Sequence, residues 1–208
     1  EIIDNWSWQD GDHPRADIPW DDNRQRRADG LRAYRHHQRF AQPVRHPLDP
    51  RDPTSRPARL WYAFSHRGLP LFVADTRTQR EPRGIARLEQ AQIMGRTQWA
   101  CLLHWLAHHG PDERPTFVAS PSILLPRRLL SDTLRPASAS LTDAWEAYPR
   151  SLHALLAHLC RTQARHVVFL SGDEHLSCIA RLRIRREGDG PEREVLAHSV
   201  HSSALYAP

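Results

Sequence analysis

Short, uninterrupted apolar runs alternate with stretches of helical spacing, and this constrains the fold more than any other feature of the chain. Leu69 to Asp75, Thr116 to Ser120 and His166 to Ser171 are the runs. Between them, Ile93 to His109 places Trp99, Leu102, Leu103 and Leu106 at i, i+3, i+4 and i+7. Ser151 to Thr162 repeats the spacing with Leu152, Leu155, Leu156 and Leu159. A strand that is apolar on both sides has to be covered on both faces, so the pattern predicts an α/β fold with a buried sheet under helices. Leu60 to Ser65 joins Leu69 to Asp75 through His66-Arg67-Gly68, which reads as a hairpin. Ile179 to Ile184 and Val195 to Tyr206 supply further strands, and Gly110-Pro111 ends the first long helix.

Upstream of this region, Ala28 to Phe40 reads as a helix with a basic face, and the five prolines from Pro43 to Pro57 read as a surface loop. Glu1 to Asn23 holds Trp6, Trp8 and Trp20 without any period and is expected to be a structured loop, since three tryptophans are costly to leave in water. There is no internal repeat and no linker beyond the proline loop, so one domain is expected over residues 1–208. The chain starts at Glu1 and stops at Pro208 directly after a strand-like run, and is expected to be cut at both ends.

Composition removes several functional classes. No apolar run approaches the roughly 20 residues that a bilayer span requires. All 29 basic side chains are Arg, so lysine Schiff-base chemistry is impossible. The arginines are spread from Arg15 to Arg193 among 24 acids, with no basic block, and a net charge of +5 of this kind does not predict specific nucleic-acid binding. The bland alternative explanation for so much Arg is coding bias in a GC-rich genome. Cys101, Cys160 and Cys178 are too few and too far apart for a zinc knuckle or a disulfide framework, and read as buried thiols in helices and a strand.

The sharpest local signal is Ser171-Gly172-Asp173-Glu174-His175, directly after a buried strand. In layered α/β folds the ligand crevice lies beyond the C-terminal ends of the strands. Gly172 permits a tight exit, and Asp173 and His175, two apart, can point to one side of a short turn. A hard carboxylate oxygen and an imidazole nitrogen together suit zinc, manganese or iron rather than a soft thiolate centre. The competing reading is a turn in which Asp173 caps and His175 is solvated. His198 and His201 lie on a late strand, where one of them reaches toward the crevice or both are ordinary strand histidines. Trp145 and Tyr148 are expected to pack on the sheet, and His36-His37 and His108-His109 to be solvated.

Seven ordered segments resemble the PhoD-like (alkaline phosphatase D) branch of the metallophosphatases. Glu1-Ile2-Ile3-Asp4-Asn5-Trp6 is similar to the continuation of that family's Asp-Asp-His-Glu segment, and Ala28 to Tyr34 to the helix that follows. Leu71 to Arg77 resembles its strand ending in Asp-Thr-Arg; Ile93-Met94-Gly95 with Gln98 and Trp105-Leu106 resembles its next helix. Asp143 to Pro149 is similar to its Asp-Ser-Trp-Asp-Gly-Tyr-Pro box, Ser171 to His175 to its Ser-Gly-Asp-Val-His motif, and Ser202 to Pro208 to the strand beyond. Glu174 departs from the pattern, standing where the family carries an apolar residue, and is expected to face solvent.

The resemblance implies a metallophosphatase-type four-layer sandwich, two mixed sheets flanked by helices, of which this chain is the C-terminal portion with the N-terminal part missing. It implies a metal-dependent phosphate ester hydrolase, phosphodiesterase or phosphomonoesterase, acting on a small-molecule phosphate ester. Asp173 and His175 would be metal ligands, for iron, calcium, manganese or zinc. Arg77 would clamp phosphate oxygens, with a surface ion pair to Asp75 or Glu81 as the alternative. Asn5 would be an active-site residue by position, with a loop-ordering role beside Asp4 as the alternative. The family's first metal-binding aspartates lie upstream of Glu1, so the chain alone is not expected to assemble a complete centre. The rival from a different class is a non-catalytic binding module with the same fold.

Overall fold

The computed structural model describes residues 25, 28–34, 60–81, 89–125, 144–172 and 177–202. Within them lies a six-stranded mixed sheet. The strands are β1 (Tyr62–His66), β2 (Leu69–Val73), β3 (Thr116–Ala119), β4 (Val167–Ser171), β5 (Cys178–Ile184) and β6 (Val195–His201). Their order across the sheet is β1-β2-β3-β4-β6-β5. β2, β3, β4 and β6 run parallel, while β1 and β5 pair antiparallel at the two edges. Arg67 and Gly68 both have positive φ, 50° and 79°, which is the backbone a two-residue hairpin turn between β1 and β2 requires.

Helix α1 (Arg96–His109) connects β2 to β3, and α2 (Pro149–Thr162), preceded by a single 3₁₀ turn at Trp145–Ala147, leads into β4. Residues 28–34 are also helical. α1 begins at Arg96 rather than at Ile93 because the backbone before it is engaged elsewhere. Glu81 N–H donates to the Gln92 carbonyl at 2.8 Å, and Ile93 N–H donates to Ser151 Oγ at 3.2 Å. Both helices cover one face of the sheet. There Ala63, Phe72, Val118, Phe169 and Ser199 form an in-register row, each no more than 2% exposed. The Phe72 ring lies 5.5 Å from Trp105 of α1.

The buried stripe of α1 is Gln98, Cys101, Leu102, Trp105 and Leu106, with Trp99 and Leu103 only partly buried. The helix is rotated relative to the leucine pattern because its second side packs on the 3₁₀ turn, where Trp99 and Trp145 sit 6.4 Å apart. Of the three cysteines only Cys101 is buried; Cys160 and Cys178 are half-buried, because they lie at the flank of α2 and on edge strand β5.

The opposite face of the sheet is also apolar. Tyr62, Val73, Ala119, Leu170, Val200 and Ile179, one from each strand, stand in register across it. The first five are half-buried and Ile179 is 76% exposed. Among the described residues no helix is long and apolar enough to cross a membrane.

Candidate functional site at the C-terminal edge of the sheet

The four parallel strands end side by side, and each exit carries polar side chains. The ladder continues past the strands proper: Ala74 N–H donates to Ala119 O at 2.8 Å, Ser120 N–H to Leu170 O at 2.8 Å, and Ser202 N–H to Ser171 O at 3.0 Å. Asp75, Ser120, Ser171 and Ser202 are thereby aligned along one edge. Apolar strands that switch to Asp, Thr, Ser and His at the same end place their polar atoms where the helix connections leave a crevice.

At the β2 exit the Asp75 carboxylate, 6% exposed, organises the turn that follows. Its Oδ1 accepts from the backbone N–H of Arg77 at 3.1 Å and of Thr78 at 2.9 Å, and its Oδ2 accepts from the Thr78 hydroxyl. Thr76 and Ser122 share a hydroxyl hydrogen bond of 2.8 Å between the β2 and β3 exits. Ser120 donates to Ser122 O at 2.6 Å and accepts from the Trp145 indole N–H at 3.1 Å. These hydroxyls are buried and paired, Thr76 with Ser122 and Ser120 with the Ser122 carbonyl and the Trp145 indole, and so they fix the exits. Tyr148 donates its hydroxyl to Glu81 O at 3.2 Å, which ties the end of the same loop to the start of α2. Trp145 and Tyr148 are fully buried, as the sequence predicts.

At the β4 and β6 exits Ser171 Oγ and His201 Nδ1 share a hydrogen bond of 2.8 Å. His201 is 1% exposed on the helix-covered face, whereas His198, three residues earlier on β6, is half-buried on the other face. Only His201 therefore reaches this edge. A Cβ on Gly172 would stand 2.9 Å from the Ser202 carbonyl, so the close approach of the two exits needs glycine there.

Arg77 is half-buried and sits on the turn that Asp75 organises. Asp75 thus meets Arg77 through the backbone N–H. Asn5, Asp173, Glu174 and His175 lie outside the described residues, as do His36 and His37. His108 is exposed as predicted, but His109 is half-buried with its ring 5.1 Å from Trp105. Among the described residues no group of three or more His, Cys, Asp or Glu is arranged to hold a metal ion. The β4 exit at Ser171-Gly172 leads in sequence into residues 173–176. The hydroxyl network is not legible in the sequence, and Gln98 stands there only as part of the helix segment that resembles the family; its contact with Asp75 has one signal, a polar amide on the apolar stripe of α1.

A family model described as PhoD-like phosphatase matches residues 1–207. No curated protein matches the chain. A solved structure titled "Structure of PhoD" is similar, with a TM-score of 0.63 and 18% sequence identity over 97% of this chain. The chain spans 38% of the length of that protein. At such identity the structural likeness speaks for the fold.

Proposed function

Since the family model covers nearly all of it, the chain belongs to the PhoD-like phosphatases, and we propose that it is the C-terminal portion of a metal-dependent phosphate ester hydrolase. The observation that carries this reading is the aligned polar edge, with the Ser171-Gly172 exit of β4 leading directly into Asp173 and His175. A carboxylate and an imidazole two residues apart in the sequence that follows a buried strand are hard and intermediate donors for a divalent or trivalent cation. Such a metal, when bound, polarises a phosphoryl oxygen and lowers the pKa of a coordinated water. Arg77 contributes a guanidinium whose planar fork matches two phosphate oxygens and orients the ester. Asn5 is assigned to the same site by its place beside the family's upstream segment.

The substrate class that fits is a small phosphate ester, and the metal is iron, calcium, manganese or zinc. The second sheet face supports the four-layer arrangement. Its in-register apolar row calls for a cover, and we assign that cover to a second sheet from polypeptide beyond the 38% of the PhoD length that this chain spans.

The test is hydrolysis of a nitrophenyl phosphate diester and monoester by the intact protein, with metal content measured alongside. Turnover should disappear on chelation and return with one of the named metals. Asp173→Asn should lower bound metal and reduce turnover by about 100-fold or more, the scale lost when a metal-held nucleophile is removed. Stoichiometric metal with no turnover, or neither, would point instead to a non-catalytic module of the same fold.

A further inference from the structure

We propose that Gln98 is a positioning residue for Arg77, acting through the Asp75 turn; the proposal rests on the reading of Arg77 as a phosphate ligand. Gln98 is 0% exposed and sits in the first turn of α1, on the stripe that otherwise carries Leu102, Trp105 and Leu106 into the core. A stripe position of that kind ordinarily takes an apolar residue. Here its amide pairs with both backbone groups of one residue. Asp75 N–H donates to Gln98 Oε1 at 2.7 Å, and Gln98 Nε2 donates to Asp75 O at 2.8 Å.

This pair of hydrogen bonds replaces a strand partner at the point where β2 stops pairing, so the peptide planes on both sides of Asp75 are set by α1. From that fixed backbone the Asp75 carboxylate takes the N–H groups of Arg77 and Thr78, together with the Thr78 hydroxyl. Thr76 is held from the other side by Ser122. The residues flanking Arg77 are therefore anchored to α1 and to the β3 exit. Arg77 is half-buried between these two anchored neighbours, with its backbone direction set. A guanidinium needs such a base, because bidentate recognition depends on geometry as well as charge.

The chemistry of the amide is selective. Glu lacks the donor, Asn is one methylene short, and Met has the length with neither polar group. Replacing Gln98 by Met leaves the Asp75 N–H and C=O buried without partners and releases the turn. Thr78→Val removes one arm of the same turn without touching the helix.

The experiment is a double-mutant cycle on the intact protein, with inorganic phosphate as a competitive inhibitor of diester hydrolysis and KM and kcat recorded separately. Arg77→Ala should raise the phosphate inhibition constant about tenfold or more, the size of a lost charged hydrogen bond. Gln98→Met and Thr78→Val should each raise it severalfold when Arg77 is present, and change it by less than twofold in the Arg77→Ala background. Equal effects in both backgrounds would overturn the proposal, as would an unchanged constant in folded Gln98→Met. Should Gln98→Met fail to fold, absence of coupling between Thr78→Val and Arg77→Ala overturns it equally. If Arg77→Ala alone leaves phosphate inhibition unchanged, the assignment of Arg77 falls first and takes this one with it.

Discussion

His158 lies on the inner side of α2, 7% exposed, beside the Leu103 backbone of α1. Its Nδ1 accepts from the Arg161 guanidinium at 3.1 Å, one turn further along the same helix. Burial lowers its pKa below the usual histidine value and the Arg161 charge adds to that, while the Leu103 backbone pulls the other way. The folded protein thus keeps this ring neutral at pH values where the unfolded chain, with an ordinary pKa of about 6.5, has already taken up a proton. It follows that the stability His158 contributes is complete above about pH 6.5 and is lost as pH falls through the folded value. Thermal melts from about pH 7.5 to 5 should show the wild type losing more stability on acidification than His158→Gln, which keeps a polar side chain but cannot titrate. Parallel curves for the two proteins would mean that His158 does not report on folding in this range. A fully buried hydroxyl network such as Thr76, Ser120 and Ser122 makes no comparable contribution, because none of its members changes charge.

At the scale of elements, the end of α1 and the end of α2 meet at Gly110. A Cβ there would stand 2.4 Å from the Ala164 Cβ and 2.5 Å from the Leu106 carbonyl, and neither neighbour is a flexible side-chain tip. Backbone bonds fix the contact, with Gly110 N–H donating to Leu106 O at 2.7 Å and Arg165 N–H to Gly110 O at 2.8 Å. Gly110→Ala should therefore destabilise the domain by about 1–3 kcal/mol, the cost of forcing a methyl into a packed contact, despite the better helix propensity of alanine. Urea denaturation with an unchanged m-value would verify it; a neutral or stabilising result would show that α1 and α2 can move apart freely.

The elements themselves were legible from the chain because each depends on a local period. The β1–β2 hairpin, α1, α2 and the four later strands all fall where apolar spacing puts them. The rotation of α1 was not legible, since it comes from Trp145 packing against Trp99 across 46 positions of sequence. The same holds for the site. Gly172 and Asp75 stood out as strand exits, but the Thr76–Ser122 and Gln98–Asp75 bonds join segments 46 and 23 residues apart, and no spacing rule reaches that far. Asp173 and His175 rest on the motif and the family, because they lie outside the described residues.

For the whole molecule, the two faces of the sheet make different demands. One is closed by α1, α2 and the 3₁₀ turn. The other presents an apolar residue from every strand in one row, from Tyr62 at one edge to Ile179 at the other, and a second row of Phe64, Leu71, Phe117 and Val168 beside it. The parallel strands β2, β3 and β4, each a short apolar run, match a sheet buried on both sides, not one with a wet face. The chain superposes on 38% of PhoD, so a related fold exists in which this sheet is part of a much longer polypeptide. If a second sheet closes the free face in the intact protein, Ile179, 76% exposed here, is an interior residue there. Ile179→Asp should then cost about 1.5–3 kcal/mol, the burial worth of an isoleucine, whereas an exposed substitution changes stability by about 0.5 kcal/mol or less. Arg186→Ala, exposed just beyond the end of the same strand, serves as the control, because it stands outside the paired register of the sheet. Denaturation of the intact protein separates the two cases: equal, small effects at both positions would leave the second face in water, and a large effect at Ile179 alone would put the missing layer against it.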